Sequence, residues 1–102
     1  ADAMAATLHR IEPNPPFADF NRGLAAMRLG HYSEARDYFA KEVARDPWYH
    51  EFHYWLGLAY LRLGDAANAG DQMALAMENS TTRHDYELYA AKRDRILGVS
   101  SQ

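Results

Sequence analysis

The chain has 102 residues, no cysteine and a formal net charge of -3. That length suits one domain near the lower limit for a self-sufficient core. The absence of cysteine excludes disulfides and thiolate metal sites, and a mild charge of mixed sign argues against a surface built to neutralise nucleic-acid phosphates. The longest unbroken apolar run, Trp55 to Leu61, is far shorter than the roughly 20 residues that span a bilayer, so no transmembrane helix is expected.

Residues 1–11, ADAMAATLHRI, are alanine-rich, with Met4, Leu8 and Ile11 at helical spacing, and predict an N-terminal helix. Glu12-Pro13-Asn14-Pro15-Pro16 stops it, because proline lacks an amide donor and biases the residue before it away from the helical region. Asn14-Pro15 is also a start signal for the next helix, predicted from about Pro16 to Leu29 with Phe17, Phe20, Leu24 and Met27 on one face and Gly30 as its left-handed stop. A further helix is expected from about Ser33 to Arg45, presenting Ala35, Tyr38, Phe39 and Val43. Asp46-Pro47 repeats the cap-then-proline signal and is expected to open the helix that follows.

That helix, Tyr49 to Gly64, carries two apolar surfaces. Phe52, Leu56, Ala59 and Leu63 form one stripe of helical period, and Tyr54, Trp55, Leu58 and Leu61 form another turned away from it. A helix wetted on one side has no use for both, so it needs helices behind it and something in front. Gly64-Asp65 closes it and caps a helix bearing Ala66, Ala69, Met73, Ala76 and Met77. Thr82 and Asp85 have the spacing of a capping box for a last helix to about Leu97, with Gly98 and the tail 99–102 beyond. No strand signal competes, and short connections make successive helices antiparallel neighbours.

The sequence also repeats itself. Gly23, Ala25, Leu29, Gly30 and Ala35 recur at one constant offset as Gly57, Ala59, Leu63, Gly64 and Ala69. Two helices per unit at such a period signal a helical solenoid, in which Gly23 and Gly57 let each first helix sit close on Ala35 and Ala69 of the second.

On these residues the chain resembles the tetratricopeptide repeat family. Residues 16–49 match through Gly23, Gly30, Tyr32, Ala35, Phe39 and Pro47, and residues 50–83 through Leu56, Gly57, Tyr60, Gly64, Ala69 and Ala76. Residues 1–15 look like an N-terminal helix or the remnant of a preceding repeat, and residues 84–98 like the first half of a third repeat acting as a capping helix. The resemblance implies an all-α, right-handed α-solenoid of antiparallel helix-turn-helix repeats. Asp19 and Arg22 stand where the family usually has large apolar residues and Glu42 where it usually has alanine, so they are expected to pair among themselves, with a missing neighbour or with another subunit. Ala66 replaces the aromatic that Tyr32 supplies, and Thr81 replaces the proline.

The family uses its concave face, lined by the first helix of each repeat, to hold a peptide. The corresponding positions are Phe17, Phe20, Asn21, Leu24, Met27 and Arg28, then Glu51, Tyr54, Trp55, Leu58, Leu61 and Arg62, then Asp85, Leu88, Tyr89, Lys92 and Arg95. They are also the residues left over once the packing stripe is assigned, and aromatic anchors with arginines have the composition of a binding hot spot. Phe20, Leu24 and Trp55 occupy the places of the polar grip that some members close on a terminal carboxylate, so a peptide with apolar anchors is expected, with an acidic group for Arg28 or Arg62. The implied function is a protein-interaction module acting as adaptor, scaffold or assembly chaperone. The alternatives are a self-associating scaffold, a groove filled by the chain's own ends, or a non-catalytic module of a larger secretion or assembly protein.

Other chemistry has less support. His50, His53 and His84 could approach one another on adjacent helices and suit a transition metal, but His50 and His84 fall near helix starts, where solvated polar residues are ordinary, so no metal is assigned. No Gly-rich phosphate loop or supported nucleophile occurs, Ser33 and Ser80 read as helix-start or loop residues, and no cofactor or catalysis is implied. Lysine appears only at Lys41 and Lys92, a usage common in GC-rich bacterial genomes. The chain starts without methionine or a signal-peptide pattern, which suits a processed chain or a piece of a longer protein. A soluble protein of cytoplasm or periplasm is expected.

Overall fold

The computed structural model describes residues 17–98 and folds them into five helices: α1 (Ala18–Arg28), α2 (Tyr32–Arg45), α3 (His50–Arg62), α4 (Ala66–Asn79) and α5 (Arg83–Leu97). The expected N-terminal helix, the Asn14-Pro15 start signal and the tail lie outside the described residues. Each helix packs on the next in the chain, α1 on α2 through to α4 on α5, and the described residues contain no strand. The fold is an all-α helical repeat, as the periodicity predicts.

The two hairpins end their first helices in the same way. The His31 amide donates back to the Ala26 carbonyl at 2.8 Å and the Gly30 amide to Met27 at 3.1 Å; one repeat later, Asp65 donates to Tyr60 at 2.9 Å and Gly64 to Leu61 at 3.0 Å. This pairing satisfies carbonyls that a helix end otherwise leaves free, and it requires a left-handed residue, here Gly30 and Gly64 with φ of 78° and 82°. The Asp65 side chain caps α4 by accepting from the Asn68 amide at 3.1 Å, and Thr82 caps α5 by accepting from the Asp85 amide at 3.0 Å.

One boundary differs from expectation. Asp46-Pro47 ends α2 instead of opening α3: the Asp46 amide donates to the Glu42 carbonyl at 2.8 Å, and Pro47, with no amide hydrogen, cannot continue the ladder. The chain then turns through Trp48, with the Tyr49 amide donating to the Asp46 carbonyl at 3.2 Å, and α3 begins at His50.

The core gathers Ala26, Ala35, Phe39, Leu56 and Ala59, and Phe52, Ala69, Met73 and Ala76 are also buried. The predicted stripe of α3 is therefore inside, except Leu63, which is exposed because α3 stops before it. At Gly23 the nearest neighbour is the Phe39 ring. A β-carbon there would stand 2.5 Å from the Phe39 ring, so the absent side chain makes room for an aromatic. At Gly57 it would meet the Met73 methyl at 2.9 Å and the Ala69 carbonyl at 3.2 Å, the equivalent places one repeat later.

Two of the three polar departures in the first repeat, Asp19 and Arg22, pair with each other, and Arg45 links Asp19 to the third, Glu42. Asp19 takes Arg22 at 3.0 Å and Arg45 at 3.6 Å, and Glu42, only 1% exposed, takes Arg45 at 3.4 Å through one oxygen. Its other oxygen accepts from the Phe20 amide at 2.9 Å. That amide is one of the unpaired donors in the first turn of α1, whose N-cap position is held by Phe17 at φ 70° with no side-chain cap. A carboxylate from α2 therefore caps α1. Among the described residues no buried side-chain polar atom lacks a partner.

Candidate functional site

Each first helix of a hairpin must bury one face on its second helix and leaves another facing its counterpart in the next repeat. Ring contacts carry α1, α3 and α5 across one side of the molecule. Phe20 reaches Phe52 at 5.4 Å and Trp55 at 6.5 Å between ring centroids, Tyr54 reaches Tyr89 at 5.2 Å, and Phe17 reaches Phe52 at 5.7 Å. The tilted and edge-on geometries are those in which aromatic quadrupoles attract. Positions one repeat apart occupy equivalent places, so Phe20, Tyr54 and Leu88 form one row across the helices, Leu24, Leu58 and Lys92 a second, and Met27, Leu61 and Arg95 a third.

The side chains singled out from sequence meet this surface differently. Phe17, Arg28, Glu51, Arg62 and Arg95 are exposed; Phe20, Leu24, Met27, Tyr54, Trp55 and Leu58 are half-buried. Leu61 is 37% and Leu88 46% exposed, large apolar side chains that folding leaves in water. Asn21 is exposed, and Asp85 and Lys92 half-buried.

Tyr89 requires a correction. It is 3% exposed and its hydroxyl is hydrogen-bonded with His50 Nδ1 at 2.6 Å, so it ties α5 to α3 and offers no contact surface. Trp55 is likewise bound to structure, with its ring 6.1 Å from that of Phe39 and packed on the core. Sequence reasoning passed over Tyr49, which lies 4.6 Å from Phe52 and 5.9 Å from Phe17 and extends the aromatic chain at the α3 start. The only sequence signal for it was its place beside Trp48, which is exposed.

The histidines do not converge. His53 is buried, with Nδ1 2.8 Å from the Gln72 side-chain oxygen and Nε2 facing the Pro47 carbonyl, so both ring nitrogens are engaged. His50 is taken by Tyr89, and His84 is exposed in the first turn of α5. No group of three His, Asp or Glu able to hold a metal occurs among the described residues.

Burial, then the charges of Asp85 and Glu51, push the Tyr89 hydroxyl from its ordinary 10.0 up to about 12. A raised folded-state value favours the neutral phenol. The stability it contributes is thus complete below pH 10 and is lost as pH rises through about 12. Tyrosinate absorbance of the wild type is expected to show one late step that Tyr89→Phe removes, with the variant's stability falling less steeply over that alkaline window. An unchanged titration curve in Tyr89→Phe would contradict the assignment. At the other extreme, the Asn68 side chain and then its backbone amide hold the Asp65 carboxyl below its ordinary value, so its cap fails only as pH falls through the acid range.

Two surface depressions, of about 520 Å³ at Ser80–Arg83, Tyr86 and Glu87 and about 420 Å³ at Gly30–Glu34 and Leu63, lie at loop edges away from the aromatic rows. No described helix is long and apolar enough to cross a membrane. No curated protein matches the chain. A family model described as tetratricopeptide repeat matches residues 20–82, spanning both hairpins up to the start of α5. The chain therefore belongs to the tetratricopeptide repeat family, whose repeats generally serve protein–protein interaction without catalysis.

Proposed function

We propose that the face formed by α1, α3 and α5 binds a peptide segment of another protein, the chain acting non-catalytically as adaptor, scaffold or assembly chaperone. The observation that carries this is the pair Leu61 and Leu88, exposed on the consecutive first helices α3 and α5, the former also carrying the half-buried rings of Tyr54 and Trp55. Solvent-facing leucines on a surface that also carries half-buried aromatics are the arrangement from which interface hot spots are built. Phe20, Leu24, Met27 and Leu58 extend the same surface, and Arg28, Glu51, Arg62 and Arg95 form a polar rim of the kind that surrounds an apolar interface centre.

Trp55→Ala and Tyr54→Ala would remove packing on Phe39 and Tyr89, so lost binding would be confounded with lost stability. Leu61→Ser with Leu88→Ser avoids this, since both side chains are already exposed. Peptides selected on the wild-type chain from a displayed random library are expected to bind the double variant about 10- to 100-fold more weakly, a loss of roughly 1.4–2.8 kcal/mol from two truncated apolar anchors, with little change in melting temperature. Equal affinity for the double variant would refute this surface as the site.

A further inference from the structure

The apolar stripe Met4, Leu8 and Ile11 belongs to a segment that precedes the described residues and joins them at Phe17. Helices shorter than roughly 12–15 residues are marginal in water, so an amphipathic stretch as short as residues 1–11 needs a surface to cover its apolar side. Two surfaces adjoin Phe17: the outer side of α1, where a preceding repeat would stack, and the face carrying α1, α3 and α5.

The outer side of α1 is not built for such a stripe. Pro13 stands one repeat before Pro47, so in a continued stack residues 1–11 would pack on α1 as α2 packs on α3. On α3 that contact is made by Trp55, Leu56 and Ala59, which pack with Ala35 and Phe39 of α2. One repeat earlier the same positions hold Asn21, Arg22 and Ala25; Asn21 and Arg22 are exposed, and Arg22 is paired with Asp19 at 3.0 Å. Leucine and isoleucine set there would take an amide and a guanidinium out of water and gain little apolar contact. A polar outer side of this kind is what ends a solenoid. The face of α1, α3 and α5 offers the opposite: Leu61 and Leu88 exposed, with Leu24, Met27 and Leu58 half-buried on the same side.

We propose that residues 1–11 dock as a helix on this face, with Met4, Leu8 and Ile11 against its leucines, and that a partner peptide binds by displacing them; this rests on the peptide-binding reading above. The reach is sufficient. Residues 12–16, three of them proline, span about 15 Å at the polyproline rise of roughly 3.1 Å per residue, and residues 1–11 add about 16 Å as a helix. Packed helix axes stand only about 8–10 Å apart, so the segment extends over α3 to α5. A tether this short gives an effective concentration on the order of 1 mM, so an intrinsic Kd of about 100 μM is enough to cover the face and weaken a partner about tenfold.

The chain has no cysteine, so thiols can be placed in pairs in all 102 residues without side reactions. Under mild oxidation Leu8→Cys is expected to form an intramolecular disulfide with Leu61→Cys or with Leu88→Cys, and little with Asn21→Cys on the outer side of α1. Preferential bonding to Asn21→Cys, or bonding only between two molecules, would overturn the docking. For displacement, a displayed library of random 15-residue peptides is selected on the Leu8→Asp/Ile11→Asp variant, whose substitutions lie outside the five described helices. Winners are expected to bind that variant about tenfold more tightly than the wild type, and a synthetic peptide of residues 1–16 should compete with them. Should the variant fail to fold, the thiol pairs decide alone. Winners that bind both proteins equally yet weaken with Leu61→Ser/Leu88→Ser would sink the docked segment only, whereas winners indifferent to Leu61→Ser/Leu88→Ser would sink the surface as well.

Discussion

Replacing Glu42 with alanine is expected to lower stability by about 2–3 kcal/mol and the melting temperature by on the order of 10–20 °C. Alanine is what related repeats usually carry there, so a reading from family preference alone would predict no harm. The structure predicts the opposite because Glu42 does two things at once. It accepts from the Phe20 amide at 2.9 Å, in a helix turn with no cap of its own, and it partners Arg45 at 3.4 Å while almost wholly buried. Removing the carboxylate leaves a first-turn donor in α1 without an acceptor and opens a gap. The loss stays toward the lower end for a broken buried pair because the Arg45 side chain is 38% exposed and can turn to water.

Glu42→Gln separates the two roles. It keeps an acceptor for Phe20 and loses only the charge, so about 1 kcal/mol is expected. In a double-mutant cycle with Arg45→Ala the losses should add to less than their sum, since both residues act through one network. Urea unfolding of the four proteins checks this. Equal stability of Glu42→Ala and the wild type would show that α1 draws nothing from the cap.

Gly23→Ala is expected to destabilise by about 1–3 kcal/mol, even though alanine is the better helix former by about 1 kcal/mol. The new methyl would stand 2.5, 2.8 and 2.9 Å from three atoms of the Phe39 ring, which is fully buried and rigid, so α1 must lift off α2. Gly57→Ala should be much milder. There the nearest atom is the Met73 methyl at 2.9 Å, the end of a flexible side chain, although the Ala69 carbonyl at 3.2 Å gives way less easily. The contrast between two repeat-equivalent glycines is the informative result. Combining Gly23→Ala with Phe39→Leu should recover part of the loss, and thermal unfolding of the single and double variants measures it. Equal effects at Gly23 and Gly57 would mean that the ring is not what limits the approach.

Much of the candidate surface was legible in the chain. The constant offset between repeats places Leu24 with Leu58 and Met27 with Leu61 before any coordinates are consulted, because hairpins of equal length return the chain to an equivalent place. Exposure could not be read the same way. Tyr54, Trp55 and Tyr89 look alike as aromatics on the outer positions of first helices, yet Tyr89 is sealed by His50 and Trp55 leans on Phe39, whereas Leu61 and Leu88 stay in water. Periodicity gives the direction of a side chain from its helix axis. How far the neighbouring helix covers it depends on interhelical distance.

The amino-acid order by itself determined the helices, their stops at Gly30 and Gly64 and the repeat, because backbone sterics, capping chemistry and helical period act over a few residues and do not consult the rest of the fold. Only the tertiary structure decided the fate of Asp19, Arg22 and Glu42 and the neighbour that fills the space at Gly23. Glu42 and the Phe20 amide it caps are 22 residues apart, a separation over which local rules say nothing and packing alone chooses the partner.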